Sequence, residues 1–233
     1  MMKRIGKTRH KCRQAFTLVE LIIVLVILAV LAAMLVPALT GYIKKAKKEK
    51  YVETVHYAQV AAQSVMTEVY GLSDGNADED QTEDGNNVIW YEGTEKEWGD
   101  KVLKLMDRGR GEENGEPYIL IVGVGNHKDT AGMTPSQRYT VYYVCYIEKA
   151  DSPAVFFVNG EFMYKYPRKD NGKVITTKKI GGENFRNTIV KDNANIPLQF
   201  YIISNLTGDN PSDSKFWTGA GKKSLLGHSE GYA

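Results

Sequence analysis

Cysteine is scarce in this chain of 233 residues, with only Cys12 and Cys145 present. Cys12 lies in a basic N-terminal head expected to be discarded, which would leave Cys145 without an intramolecular disulfide partner. The folded part must then be held by its own core or by neighbours in an assembly. Histidine is also sparse. His10, His56, His127 and His228 are scattered, and none stands at ligand spacing from a cysteine or a second histidine, so neither a metal site nor any other cofactor is expected. There is no Gly-x-Ser-x-Gly elbow and no phosphate loop. Tyr118–Gly125 opens like a dinucleotide motif, strand then glycines, but Asn126-His127-Lys128-Asp129 does not complete it. No convergent catalytic set is present. Cys145 alternates with Tyr143 and Ile147 in an apolar stretch, where a buried structural thiol is expected rather than a nucleophile.

Acid is missing from the first fifteen residues, which carry Lys3, Arg4, Lys7, Arg9, Lys11 and Arg13. Without those six, 24 basic residues face 28 acidic ones, a net charge of −4 in place of the formal +2 of the whole chain. A mildly acidic remainder argues against nucleic acid as a partner, because that partner selects a basic face or stripe.

What the sequence does have is one long apolar run, Phe16 to Leu39. Between Leu21 and Val36 no side chain is polar, yet Glu20 stands at the edge of the run, where burial in hydrocarbon opposes a carboxylate. A positive flank before an apolar helix keeps that flank in the cytoplasm. The bland alternative is a secretory signal peptide cut after the run. Against it, the run exceeds the usual h-region of roughly 7–15 residues and approaches the ~20 needed to span a bilayer. No turn or polar c-region follows. Instead Val52, Val55, Ala58, Ala62, Val65, Met66 and Val69 recur at spacings of three and four, one face of an amphipathic helix fused to the membrane segment. Taken from Glu20 to Tyr70 the helix would be roughly 75 Å long. Pro37 should kink or loosen it near the middle, and Gly71 is the expected C-cap. Lys44, Lys45, Lys47, Lys48 and Lys50 form a second basic cluster beyond the hydrocarbon.

The acidic stretch after Gly71 reads as a surface loop. Asp74, Asn76 and Asp78 alternate like the opening of a calcium loop, but Glu79 occupies the turn glycine's place and Gly85 the closing carboxylate's. Calcium binding over Asp74–Asp84 is therefore the lesser reading. Thr94-Glu-Lys-Glu97 is a capping box opening a short helix that places Trp98, Val102, Leu105 and Met106 on one face, with Gly109 ending it.

From Tyr118 the pattern changes to period two with β-branched and aromatic residues. Strands are expected at Tyr118–Val124, Tyr139–Glu148, Ala154–Val158, Glu161–Tyr166, Lys173–Ile180 and Leu198–Ser204. Asn159-Gly160 should join two of them in a tight hairpin, because both residues accept positive φ. Sequential strands on short turns predict an antiparallel sheet with one face on the amphipathic half of the helix. The tail from Thr207 should be loop-dominated, with Phe216, Trp217 and Leu225-Leu226 as tethers.

Gln14-Ala15-Phe16-Thr17-Leu18-Val19-Glu20, after a short basic leader and before the apolar run with Pro37, resembles the class III signal of type IV pilins and type II secretion pseudopilins. The resemblance covers residues 1 to about 45 in detail and, more loosely, the helix-then-sheet plan of the whole chain. It implies an α+β, pilin-like fold, a long N-terminal helix packed on a C-terminal antiparallel sheet. The divisions it suggests are a cleaved leader (1–15), a transmembrane and polymerisation half of the helix (16–40) and an amphipathic half (41–71). A connecting region with a short helix (72–117), the sheet (118–206) and a loop-rich tail (207–233) complete them.

The resemblance also implies cutting by a prepilin peptidase between Ala15 and Phe16, then N-methylation of Phe16. Ala15 stands where the family usually has Gly. Glu20 falls at the family's assembly glutamate and Pro37 at its helix-loosening proline. In a filament whose helices bundle without water, the Phe16 amine of one subunit and Glu20 of its neighbour can neutralise each other, and that pairing can select the axial stagger. The implied partners are other copies of the chain and other pilins, the prepilin peptidase, the inner-membrane platform and assembly ATPase, and membrane lipid before assembly. The implied location is a single-pass cell membrane with the leader cytoplasmic, then an extracellular or periplasmic filament. The alternative is a signal-anchored extracellular enzyme or binding module that shares this N-terminus.

Overall fold

The computed structural model describes residues 16–72, 88–90, 95–126, 133–164, 188–191, 194–211, 213–218 and 225. The chain divides into two compact units, Met1–Glu49 and Lys50–Ala233. The first helix, α1 (Leu18–Leu72), belongs to both. It ends one residue beyond Gly71, and Gly71 does not take a left-handed conformation, so it is not the αL cap expected of it. An exposed helix terminus frays over a residue or two, and an interior glycine costs little there.

In the first unit every described side chain is exposed, and the apolar run forms a bare hydrocarbon cylinder. It is long and apolar enough to cross a membrane. In the second unit α1 buries Val55, Ala58, Ala61, Ala62, Val65 and Met66, with Val52 and Val69 packed at the margins. All seven residues of the expected stripe are among these, and Ala61 joins them.

After α1 come β1 (Val88–Trp90), α2 (Glu95–Leu105), a short 3-10 turn at Glu112–Asn114, β2 (Ile119–Gly125), α3 (Pro135–Arg138), β3 (Val141–Ile147), β4 (Val155–Val158), β5 (Glu161–Met163), β6 (Thr188–Lys191), β7 (Ala194–Asn205) and α4 (Ser214–Thr218). The sheet order is β1-β7-β2-β3-β4-β5, with β6 paired to the first residues of β7. From β7 through β5 every neighbour is antiparallel, which gives the expected α+β plan. At the other edge β1 runs parallel to β7, with Ile89 opposite Tyr201.

The hairpin between β4 and β5 turns through Asn159 (φ 48°) and Gly160 (φ 92°), the double positive φ of a primed two-residue turn. Tyr139 and Thr140 fall outside β3, because Thr134 caps the short α3 in a capping box with Gln137 and carries the chain helically to Arg138. The expected strand Lys173–Ile180, the loop Asp74–Asp84, Thr94 of the expected capping box, and Leu226 lie outside the described residues.

The central strands are buried on both faces, which accounts for runs such as Ile119–Gly125 and Val141–Ile147 with no polar alternation. Leu120, Val122, Val144, Tyr146, Phe157 and Tyr201 meet α1 and α2. Ile119, Ile121, Tyr143, Cys145, Phe156 and Phe200 point the other way, where Phe216, Trp217 and Leu225 cover them. Trp217 is fully buried and donates from its indole to the Pro211 carbonyl at 2.6 Å.

Two glycines of the dinucleotide-like stretch have packing causes. A Cβ at Gly123 would sit 2.9 Å from Tyr143 Cβ and 3.0 Å from the Phe200 ring. One at Gly125 would collide with the Gln137 carbonyl oxygen and sit 2.7 Å from Arg138 Cα at the end of α3.

In α2 the inward residues are Val102 and Leu103, flanked by Trp98 and Met106, whereas Leu105 is 60% exposed. The helix closes in a Schellman arrangement around Asp107 (φ 57°), not at Gly109. Arg108 N–H reaches the Leu103 carbonyl at 2.9 Å and Asp107 N–H the Lys104 carbonyl at 3.0 Å. The segment that follows is pinned by two arginines. Arg108 donates to both Glu148 carboxylate oxygens, at 3.2 and 3.0 Å, and to the Gly115 carbonyl. Arg110 joins Asp100 at 2.6 Å and Glu116 at 2.9 Å; burial opposes its charge, but these two acids outweigh burial and raise its pKa.

One side chain of α1 completes the ladder of β3. Gln63 donates from Nε2 to the Tyr139 carbonyl at 3.0 Å and accepts from Val141 N–H at 2.8 Å. Just beyond, Asn159 N–H donates to the Tyr142 carbonyl as the chain turns away from β4.

Candidate functional site

The residues singled out for processing and assembly lie in the first unit. Phe16 precedes α1, outside the helix, and is 83% exposed. Ala15, on the other side of the expected cut, is outside the described residues. The helix opens at Leu18, and Leu21 N–H makes an early intrahelical bond, to the Thr17 carbonyl at 3.2 Å. Thr17 is therefore the N-cap and Glu20 the third helical residue.

Their side chains close a reciprocal pair. Glu20 Oε2 accepts from Thr17 N–H at 2.8 Å and from Thr17 Oγ1 at 2.9 Å, while Glu20 N–H donates to Thr17 Oγ1 at 3.2 Å. This is a capping box, in which a helix N-terminus supplies donors to a carboxylate where the helix dipole is positive. The carboxylate that conflicts with an apolar environment thus accepts two hydrogen bonds from Thr17 of its own chain, and the Glu20 backbone N–H returns a third. Thr17 is the residue that sequence reasoning missed here. The signal was present as Thr-x-x-Glu at Thr17–Glu20, the same spacing read at Thr94–Glu97.

Pro37 stands seventeen residues further along α1, inside an unbroken helix. It supplies no N–H to the carbonyl four residues back, so one rung of the ladder is missing there. Thr40 Oγ1 donates to the Val36 and Pro37 carbonyls, both at 2.9 Å, which keeps its hydroxyl satisfied by the helix itself. Glu20 and Pro37 are not brought together. They mark two places on one apolar rod, about 25 Å apart along the axis.

Cys145 is fully buried, and desolvation pushes its thiol far above the ordinary range, against the lowering hydrogen bond with Tyr143. His56 is exposed on α1 and meets Phe162 edge-on at 6.1 Å. Among the described residues no three His, Cys, Asp or Glu side chains gather as a metal group.

Residues 10–36 match the family described as the prokaryotic N-terminal methylation motif, which is the class III prepilin signal of type IV pilins and pseudopilins. No curated protein and no solved structure matches the chain. The matched segment contains Phe16, the Thr17–Glu20 box and most of the bare apolar cylinder, and stops one residue before Pro37. The motif supports a type IV pilin-like precursor. It implies processing by prepilin peptidase and assembly into pilin filaments.

Proposed function

We propose that the chain is a prepilin whose leader is cut between Ala15 and Phe16, whose Phe16 amine is methylated, and which polymerises into a type IV pilus or type II secretion pseudopilus. The observation that carries this reading is the methylation motif lying on an exposed apolar stretch of helix, at whose start the acid Glu20 sits four residues from the new N-terminus. Before assembly the helix is a single-pass anchor with the leader in the cytoplasm. After assembly the same surface lies against other copies and other pilins, and the inner-membrane platform and assembly ATPase drive the transfer. Pro37 supplies a point where the helix backbone is less constrained.

The chemistry of the step is a change of partner. In the free subunit Glu20 is bound by Thr17. Cutting removes six positive side chains and creates one amine at Phe16, and in a dry bundle the amine of a neighbour offers Glu20 a full charge in place of neutral donors. Mass spectrometry of the mature protein tests the processing: loss of residues 1–15 and one added methyl group on Phe16 are expected, and any other first residue removes the claim. Glu20→Ala tests the assembly, with membrane insertion retained and filaments lost.

A further inference from the structure

The first unit holds one feature that anchoring and polymerisation leave unused, the four exposed lysines Lys44, Lys45, Lys47 and Lys48. We propose that these lysines are a docking layer for anionic phospholipid headgroups on the membrane face opposite the leader, and that they fix the depth of the unassembled subunit. The proposal rests on the reading of the chain as a membrane-held precursor.

Three observations lead to lipid. The first is length. Thr40 and Gly41 interrupt the apolar sequence, but the Thr40 hydroxyl is consumed by the Val36 and Pro37 carbonyls, so it presents no unsatisfied polar group to hydrocarbon. The apolar cylinder thus extends to Ile43, and Glu20 and Lys44 stand about 36 Å apart along the axis, close to the ~30 Å hydrocarbon core plus part of each interface. The second is thickness. Lys44 to Lys48 rise only about 6 Å along the helix, the depth of one headgroup layer, roughly 5–7 Å per leaflet.

The third is distribution. At 3.6 residues per turn the four lysines fan over about 160° of the circumference, wider than the seam one neighbouring helix covers, as a surrounding layer of phosphates requires. Tyr42, 72% exposed, lies in the last turn of the apolar cylinder, two residues before the first lysine, where amphipathic rings settle at an interface. The nearby acid Glu49 lies 3.8 Å from Lys45 in an exposed pair, too weak and too solvated to neutralise the layer. The long lysine stems can lie along the apolar rod with their ammonium groups in the headgroups.

Full-length chain reconstituted in phosphatidylcholine vesicles containing phosphatidylglycerol, doped with either spin-labelled lipid, tests this by electron paramagnetic resonance. The fraction of motionally restricted label gives the preference for the anionic lipid. The leader's cations contribute equally to every variant, so the comparison isolates the layer. K44Q/K45Q/K47Q/K48Q should lower the preference about fivefold or more, the attraction of at least one lysine to an anionic surface. The four Lys→Arg replacements should restore it, and high salt should erase the difference. Equal preference in wild type and the Gln variant overturns the proposal. So does an unchanged preference accompanied by loss of subunit cross-linking in filaments, which would assign the lysines to a protein contact. A wild-type chain that alkaline carbonate strips from the vesicles overturns the membrane-held reading instead, a result separate from lipid preference.

Discussion

Glu20 is a charged residue whose neighbours set its use. The Thr17–Glu20 box gives the carboxylate a partner before any assembly exists, so Thr17 is a positioning residue for the acid. Thr17→Ala should weaken the first turn by about 1 kcal/mol, read as roughly fivefold faster amide exchange at Glu20 in detergent-held protein. Thr17→Ser, which keeps the hydroxyl, should leave exchange as it is. At the other end of the reactivity scale, Cys145 is sealed among Ile119, Tyr143 and Phe156. Iodoacetamide should label it only as fast as the second unit unfolds; labelling within minutes in native protein would contradict that burial.

At the scale of elements, the second unit is a sheet pressed from both sides, and small residues set how close the layers come. Ala58 and Ala62 lie buried on α1 against β2, β3 and β7. Ala62→Leu should overpack this layer and destabilise by about 1–3 kcal/mol, seen as a lower urea midpoint. Trp217→Ala should open the opposite core at about 3–5 kcal/mol.

The elements also show what the sequence made legible. The stripe from Val52 to Val69 could be read because spacings of three and four allow one inward face, and Asn159-Gly160 because few other turns use that pair. In α2 the series Trp98, Val102, Met106 was correct, but Leu103 and Leu105 flank it on either side, and only the position of β7 decides that Leu103 goes in. The strand β1 has three residues and a parallel partner more than a hundred residues away, so nothing local announces it. Likewise Asp107, not Gly109, closes α2, because the hydrogen bonds of Arg108 favour an earlier stop. The N-terminal signal was legible from Gln14 to Glu20, while the role of Thr17 emerged only from its bonds to Glu20.

At the scale of the whole molecule, its response to alkali is shaped by the buried Cys145 thiol and by phenols taken wholly or partly out of water. Burial raises the pKa of Tyr146, and its bond to Glu148 adds to the rise against the opposing Arg108. Burial together with Tyr51 pushes Tyr164 up to about 12. In the unfolded chain both titrate near their ordinary value of about 10. Their folded values are higher, so the unfolded state binds fewer protons above about pH 10, and stability falls as pH rises from there toward 12 and beyond. Below pH 9 these tyrosines should contribute no slope. The buried Cys145 thiol is raised in the same direction and adds its own fall from its lower unfolded value upward, so melting of Cys145→Ala from pH 8 to 11.5 checks both parts, and a flat profile above pH 10 would contradict the burial of Tyr146.

Gln63 also has a mechanical meaning. In the filament that the motif implies, force entering the chain along its helix must pass into the sheet somewhere. The apolar stripe of α1 resists separation, but greasy surfaces slide over one another. The paired bonds of Gln63 to Tyr139 and Val141 do not slide: they are satisfied at one axial position of the helix only. Gln63 thus acts as a shear pin between a smooth rod and a stiff plate. With Gln63→Ala the second unit should keep most of its thermal stability yet yield at a lower force when pulled along α1 in an optical trap. An unchanged rupture force would show that the load enters elsewhere.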